Sequence, residues 1–169
     1  MTPQAWQALW RFNLLAAEQN ELHGIFRAVF REPASTAFLR IASQYLEQAR
    51  PLLGRDGSVL AVERLLDEAK RYLRYVEFQI TAENKKRADP ATYQALRSRL
   101  LAVFQTPVPD IGGWGILGEF DEWEKARDLL EDGEFAEASR WCEIAECKLP
   151  EAIRERQENW RAAYGHAGH

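Results

Sequence analysis

The chain has few of the residues on which disulfides and metal centres depend. Its 169 residues include only two cysteines and three histidines. Cys142 and Cys147 are five positions apart, and helical steps of 100° would place their side chains roughly 140° apart. A disulfide or a shared metal ion would require the helix to break there, and this is not a zinc-ligand spacing. We therefore predict two free thiols that fill the core as small apolar residues, with no metal and no cofactor.

Long hydrophobic runs and strand patterns are also missing. No apolar stretch approaches the roughly 20 residues that a membrane-spanning helix needs. The opening MTPQAWQALWRF lacks the basic region and continuous apolar stretch of a secretory signal. Alternation of apolar and polar residues with β-branched enrichment, which is typical of strands, is not found either. We expect an all-α protein that forms a single helical domain of six or seven helices over residues 1–169, in the cytoplasm and without a membrane partner.

Helical periodicity is what the sequence does contain. The longest apolar stripe follows Ser58, the predicted N-cap, and recurs at alternating steps of three and four residues over 59–80. This stripe consists of Val62, Leu66, Ala69, Leu73, Val76 and Ile80. A heptad pattern of this kind is typical of a buried core, but also of a seam between two copies of the chain. The sequence therefore leaves a homo-oligomer open.

Further helices are predicted on both sides of that stripe, and we expect residues 3–105 to form a helical bundle. A shorter stripe over 38–49 ends before Pro51, because the residue preceding a proline disfavours helical geometry. Asp89 and Pro90 are a typical cap and first residue of another helix.

The N-terminal segment carries large apolar side chains in almost every direction around a helix. They are Trp6, Leu9, Trp10, Phe12, Leu14 and Leu15. This distribution predicts a helix that is buried on most sides. Gly24 follows the polar stretch EQNELH and suggests a break before the next apolar group.

One glycine motif raises the question of nucleotide binding. GWGILG at 113–118 fits Gly-x-Gly-x-x-Gly, a pattern that holds phosphate when a strand precedes it and a helix follows. Here a helix and TPVPD precede it, and Pro107 and Pro109 are incompatible with a central strand. Glu119 directly after the motif would repel phosphate. We therefore expect no nucleotide at this loop.

The loop over 106–118 has two other interpretations. It carries apolar side chains that are costly to leave in water, namely Val108, Ile111, Trp114, Ile116 and Leu117. Either the loop packs on its own domain, with glycines that let the backbone pass close to helices, or Trp114 and its neighbours form an exposed anchor for another protein.

The segment after this loop has the pattern of a helical hairpin. Asp121 and Glu124 have the spacing of a capping box, so a helix is predicted to begin near residue 122. Small, bulky, turn, aromatic and proline positions then follow at Ala126, Leu129, Gly133, Phe135, Ala138, Ala145 and Pro150. Over 119–150 this resembles one hairpin of the tetratricopeptide repeat. The resemblance implies an antiparallel helix pair and an interaction role. Pro150 is predicted to open a last helix, which completes a block over 119–164.

Charge is unevenly distributed along the chain. Residues 1–109 hold 15 Lys and Arg against 11 Asp and Glu, whereas residues 110–169 hold 7 against 15. The acidic C-terminal part suits a basic partner protein, or could imitate nucleic acid and so block a nucleic-acid-binding protein. A solvated helical surface would have the same composition.

Direct nucleic-acid binding is not expected. The basic stretch KRYLRY at 70–75 combines arginines with tyrosines, which could stack on bases. Acidic residues one helical turn away can neutralise it, as Asp67 would for Arg71.

Catalytic motifs are sparse, and we expect no enzyme. Arg161 and His166 have the spacing that resembles the helical HEPN ribonucleases, in which the arginine would bind phosphate and the histidine would act in transphosphorylation. A HEPN-like nuclease is therefore an alternative, together with the acidic nucleic-acid mimic. The function that we predict is a non-catalytic protein-interaction module or regulator. Its predicted partner-binding residues are Trp114, Ile116, Leu117 and Trp123, with Asp121, Glu122, Asp128, Glu131 and Asp132 as steering charges.

Overall fold

The computed structural model describes residues 1–30, 37–112 and 115–165. Within these ranges it contains seven α-helices and no strand, which confirms the all-α prediction. The helices are α1 Pro3–Val29, α2 Ala37–Ala49, α3 Val59–Ala88, α4 Pro90–Phe104, α5 Asp121–Glu131, α6 Phe135–Cys147 and α7 Leu149–Tyr164. None of the described helices is long and apolar enough to cross a membrane.

Two compact units make up the chain, Met1–Asn84 and Lys85–His169. The first contains α1, α2 and most of α3. The second contains α4 to α7, because α4 packs against α5 and α6. A single domain over 1–169 stays a prediction, and each unit is described by itself below.

The core of the first unit is the predicted apolar stripe of α3. All six of its residues are buried, together with Phe12 and Phe26 of α1 and Leu39 and Leu46 of α2. The six residues alternate at steps of three and four, so they lie on one side of the helix. That side is covered by α1 and α2. The stripe is therefore core, and its interpretation as a seam between two copies is wrong.

The prediction for α1 is wrong in two respects. The helix continues through Gly24 without a break, since a single helical glycine costs only about 1 kcal/mol relative to alanine. Trp6 and Trp10 are 58% and 66% exposed, and Leu14 is 51% exposed. The buried side of α1 instead consists of Ala5, Ala8, Phe12, Leu15, Leu22 and Phe26. Only one side of α1 is covered by its neighbours, and that side contains small alanines as well as larger apolar residues.

Helix ends largely follow the predicted caps. The α2 helix stops at Ala49, ahead of Pro51. The Asp89 side chain accepts a hydrogen bond from the Thr92 N–H at 3.2 Å, as expected of an N-cap, and Pro90 is the first residue of α4. Ser58, the predicted N-cap of α3, is instead the last residue of a short 3-10 helix over Asp56–Ser58, and α3 begins at Val59.

The α5–α6 hairpin forms where the repeat-like pattern places it. The chain leaves α5 through Gly133, whose φ is +78°. The Gly133 N–H donates to the Leu130 carbonyl at 3.1 Å and the Glu134 N–H to the Leu129 carbonyl at 2.9 Å. These two bonds define a Schellman motif, which needs a left-handed residue and therefore favours glycine. Ala126, Ala138 and Ala145 are fully buried and let the helices approach closely.

The two cysteines differ in their surroundings. Both are free thiols, as predicted, but only Cys142 is buried. Cys147 is exposed, so the expectation of a second core thiol is wrong; five helical steps turn it away from the side that faces the core. Burial and a hydrogen bond with the Glu146 carboxylate raise the pKa of Cys142 to about 12.

We expect a thiol reagent to modify one cysteine of the folded protein at neutral pH. Cys147 should react, whereas Cys142 should react only after denaturation, because the thiolate is the nucleophile and Cys142 stays protonated. Counting modified thiols by mass spectrometry tests this, and a Cys147→Ser variant should show none. Fast modification of Cys142 in the folded state would contradict the assignment.

Since the Cys142 thiol of the folded protein holds its proton above its ordinary pKa of about 9, the free energy of unfolding should fall as pH rises from about 9 toward 12.

Candidate functional site

The loop that follows α4 turns back on itself and packs on the second unit. The Val108 N–H donates to the Gly115 carbonyl at 2.9 Å, and the Leu117 N–H donates to the Thr106 carbonyl at 2.8 Å. The Gly118 N–H donates to the Phe104 carbonyl at 3.0 Å. These bonds close the loop. The Gly118 N–H is therefore already hydrogen-bonded within the chain.

Helix α7 fixes the loop from outside. The Arg156 Nη2 donates to the Leu117 carbonyl at 2.6 Å, and the Gln157 Nε2 donates to the Pro109 carbonyl at 2.9 Å. Gly112 has φ +67°, and a Cβ at this position would lie 3.1 Å from the Trp160 ring. The predicted use of glycine for close backbone approach is therefore confirmed at Gly112.

Two of the predicted anchors are core residues. Leu117 is 1% exposed and Trp123 is 6% exposed. The Trp123 Nε1 donates to the Leu100 carbonyl at 2.7 Å, and its ring lies 5.3 Å from the Phe104 ring centroid. A side chain sealed in this way cannot enter a partner's pocket. The expectation that Leu117 and Trp123 anchor a partner is therefore corrected: both hold the second unit together.

The other two predicted anchors have different outcomes. Ile116 is 46% exposed, so its side chain is available for contact. Trp114, together with Gly113, lies outside the described residues, and its role stays a prediction.

A concave surface forms beside this loop, where the start of α5 meets the start of α7. Its cavity has a volume of about 200 Å³. We call it the acidic groove and define it by its lining residues Phe120, Asp121, Glu122, Lys148, Glu151, Ala152 and Glu155. A second cavity of about 160 Å³ shares Phe120, Ala152 and Glu155 and adds Leu117, Glu119, Arg156 and Asn159. The two cavities make a continuous depression along one side of α7.

The way in which α5 begins exposes the carboxylates of this groove. Phe120 is the N-cap and makes no side-chain cap hydrogen bond, while Asp121 is already helical. The Glu124 N–H donates to the Phe120 carbonyl at 2.9 Å. The predicted capping box of Asp121 and Glu124 is therefore wrong. Phe120 packs against the core, which moves the cap one residue earlier and leaves the Asp121 side chain in solvent.

The electrostatics of the groove are dominated by carboxylates. Four of them, from Asp121, Glu122, Glu151 and Glu155, line the groove together with one ammonium group, that of Lys148. The Lys148 Nζ lies 3.4 Å from Glu122 and 3.7 Å from Glu151. The hydrogen bond with Glu122, followed by the charge of Glu151, raises the pKa of Lys148. Among the described residues no ion pair reaches Asp121 or Glu155, so the groove has two uncompensated negative charges.

The remaining predicted steering charges lie at the opposite end of α5. An 11-residue helix is about 16 Å long, so they form no single patch with Asp121 and Glu122. Asp128 lies 3.2 Å from its neighbour Arg127. Partial burial and the charges of Asp128 and Glu134 raise the pKa of Asp132.

Glu131 is part of the internal structure of the second unit. It accepts hydrogen bonds from the Lys86 Nζ at 2.7 Å and the Tyr93 hydroxyl at 2.9 Å. Partial burial acts to raise the pKa of Glu131, but these bonds outweigh it and the pKa lies below its ordinary value. Glu131 is thus already paired within the unit, and its predicted role as a steering charge is corrected.

Five groove residues are missing from the predicted set, namely the charged Lys148, Glu151 and Glu155 and the apolar Phe120 and Ala152. Glu151 and Glu155 are four residues apart, a spacing that places two exposed carboxylates on one side of a helix. That signal is present in the sequence. These two carboxylates form a groove only because α7 lies beside the start of α5, and the sequence does not show that tertiary contact.

The alternative sites receive no further support. His166 lies outside the described residues, so its spacing to Arg161 is not tested. Arg71 pairs with Glu68 at 2.7 Å, not with Asp67 as predicted, because Arg11 takes the Asp67 carboxylate at 2.6 Å. Over the described ranges no cluster of three His, Cys, Asp or Glu side chains could hold a metal ion.

No known family model matches the chain, and no curated protein and no solved structure matches it either.

Proposed function

We propose that this protein is a non-catalytic interaction module whose acidic groove binds a basic segment of a partner protein. The observation that supports this most strongly is that Asp121 and Glu155, two carboxylates without an ion pair among the described residues, line the same cavity as the apolar Phe120 and Ala152. Lysine and arginine combine an apolar stem with a charged end. Such a side chain would contact Phe120 and Ala152 with its stem and reach the carboxylates with its end.

The size of the groove fits this occupant. A cavity of about 200 Å³ is smaller than the roughly 300–1,000 Å³ typical of drug-sized ligands and cofactors. It suits one or two side chains of an extended segment. The adjoining cavity at Leu117, Glu119 and Asn159 also contains the Arg156 guanidinium, so it would receive an uncharged residue of the segment. Trp114 and Ile116 remain proposed additional contacts, and the cytoplasm remains the proposed location.

Binding of this kind should depend on charge in a measurable way. Exposed carboxylates attract a basic partner over about 10 Å at moderate ionic strength, and salt screens the attraction. They contribute more to the association rate than to the lifetime of the complex. We therefore expect capture of the partner to weaken steeply as salt is raised.

We expect the double variant Asp121→Asn with Glu155→Gln to lose about tenfold or more in partner affinity. Losing two favourable charges of about 0.7 kcal/mol each gives this factor. The control is Glu137→Gln with Glu143→Gln, which removes two exposed carboxylates of α6 and the same net charge. The measurement is quantitative mass spectrometry of proteins retained by each form, followed by calorimetry with the strongest partner. Equal retention by the two double variants would show that overall charge, and not the groove, binds the partner.

A further inference from the structure

The outer face of α1 is apolar over most of its length and is exposed in the first unit. It consists of Trp6, Trp10, Leu14, Ala17, Glu21, Gly24 and Ala28, all of which are exposed. At 100° per residue these seven positions fall within an arc of roughly 80°. The face runs the length of a 27-residue helix, which is about 40 Å.

Gly24 has no function inside the first unit that would explain it. A Cβ at this position would meet nothing within 4 Å, and its φ is not in the left-handed region. Glycine in the middle of a helix weakens it relative to alanine. A glycine that no internal contact requires is therefore explained best by another surface that approaches the backbone from outside.

Large side chains lie in one half of the face and small side chains in the other. The two tryptophans lie near its N-terminal end, whereas Ala17, Gly24 and Ala28 lie toward its C-terminal end. If two such helices pack antiparallel with Ala17 on the two-fold axis, Trp10 lies opposite Gly24 and Trp6 opposite Ala28. In each pair the two residue numbers average 17, so the two residues are equally far from the axis along their helices. Large side chains then meet small ones at both ends, as a self-complementary interface requires.

We propose that two copies of this chain form an antiparallel dimer through the outer faces of α1. The occupant of the face is thus a second copy, related by a two-fold axis at Ala17. This interface is separate from the acidic groove, which belongs to the second unit, and it does not depend on the proposed function.

The charge pattern agrees with this arrangement. Glu21 carries the only charged side chain on the outer face. The same register places Glu21 opposite Asn13 of the second copy, so the carboxylate meets an amide donor. Glu21 does not meet its own symmetry mate, and no like charges oppose each other within the face.

The two tryptophans supply a large share of the area that such a dimer would bury. A fully exposed tryptophan has an area of about 250 Å², so Trp6 at 58% and Trp10 at 66% together expose about 300 Å². That is more than a third of the roughly 800 Å² per partner that a standard interface buries. Leu14 and the backbone beside Ala17, Gly24 and Ala28 add to it.

Sedimentation equilibrium of the full chain tests the proposal. We expect a species of twice 19.5 kDa that dissociates on dilution. Trp10→Glu should raise the dissociation constant at least about tenfold, since it places a charge in the interface. Gly24→Leu should do the same by obstructing the close approach, although a Cβ at this position meets nothing within 4 Å in the isolated unit. The control is Leu60→Glu, which alters an equally exposed apolar residue of α3 and should leave the dimer intact.

Crosslinking tests the register. In a Cys147→Ser background, Ala17→Cys should form a disulfide-linked dimer when oxidised glutathione accepts the two electrons, while Ala61→Cys, on the exposed side of α3, should not. Circular dichroism confirms that each variant is folded. A chain that stays monomeric at all concentrations, a dimer that tolerates both Trp10→Glu and Gly24→Leu, or crosslinking through Ala61→Cys in preference to Ala17→Cys would each overturn the proposal. Binding of the monomer to another protein through Trp10 would also count against a second copy as the occupant.

Discussion

Replacing Leu117 with aspartate should destabilise the second unit by about 4 kcal/mol or more, whereas the same change at the neighbouring Ile116 should cost less than about 1 kcal/mol. Leu117 is 1% exposed and lies among the core residues of this unit. An aspartate there loses the apolar contacts and also places a carboxylate in a site without a partner. Ile116 is half exposed, and a carboxylate at that position keeps its contact with water.

Urea denaturation followed by circular dichroism measures both variants. Because the two positions are adjacent on the loop and receive the same new side chain, the comparison isolates burial. Similar midpoints for Leu117→Asp and Ile116→Asp would contradict the core assignment. The stability measurement also bears on binding experiments. If Leu117→Asp abolishes partner binding, the cause is unfolding of the second unit and not the loss of a direct contact.

Trp123→Ala is expected to cost about 3–5 kcal/mol of unfolding free energy, the range for removing a large aromatic side chain from a core. The indole fills the space between α4 and α5, packs on Phe104 and donates to the Leu100 carbonyl. Trp123→Phe keeps most of the ring packing and loses the hydrogen bond, so it should cost only about 1–2 kcal/mol.

The measurement is the shift in denaturation midpoint, with near-UV circular dichroism to follow the tertiary packing. A small shift for Trp123→Ala would mean that the cavity closes or that the indole is dispensable. Gln94→Ala, at an exposed position on α4, serves as the control and should change stability by less than about 0.5 kcal/mol.

The long helices and the first core could be predicted because their patterns are local. Every residue of the stripe in α3 is buried, and Asp89 with Pro90 marks the start of α4. In α1 the same reasoning fails. Trp6 and Trp10 are as hydrophobic as any core residue, so periodicity alone could not show that alanines would take the covered side.

The site was harder to predict because its residues meet only through tertiary contacts. Trp123 is the type of residue that often anchors an interface, yet its hydrogen-bond partner is Leu100 of α4, 23 residues earlier in the chain. Asp121 and Glu122 lie in the first turn of α5, as their position in the sequence indicates. Their neighbours Glu151 and Glu155 come from a helix whose position no local pattern specifies, and Phe120 decides the cap through packing.

The bonds from Arg156 and Gln157 to the loop carbonyls have a consequence for the order of assembly during synthesis. Residues 1–84 hold all the elements of the first unit, so it can fold while the ribosome is still translating the remainder. The second unit must wait, because the carbonyls of Pro109 and Leu117 find these donors only after α7 has left the exit tunnel. In that interval Val108 and Leu117 lack their final cover, which makes nascent chains stalled before residue 156 the ones most exposed to chaperones and proteases.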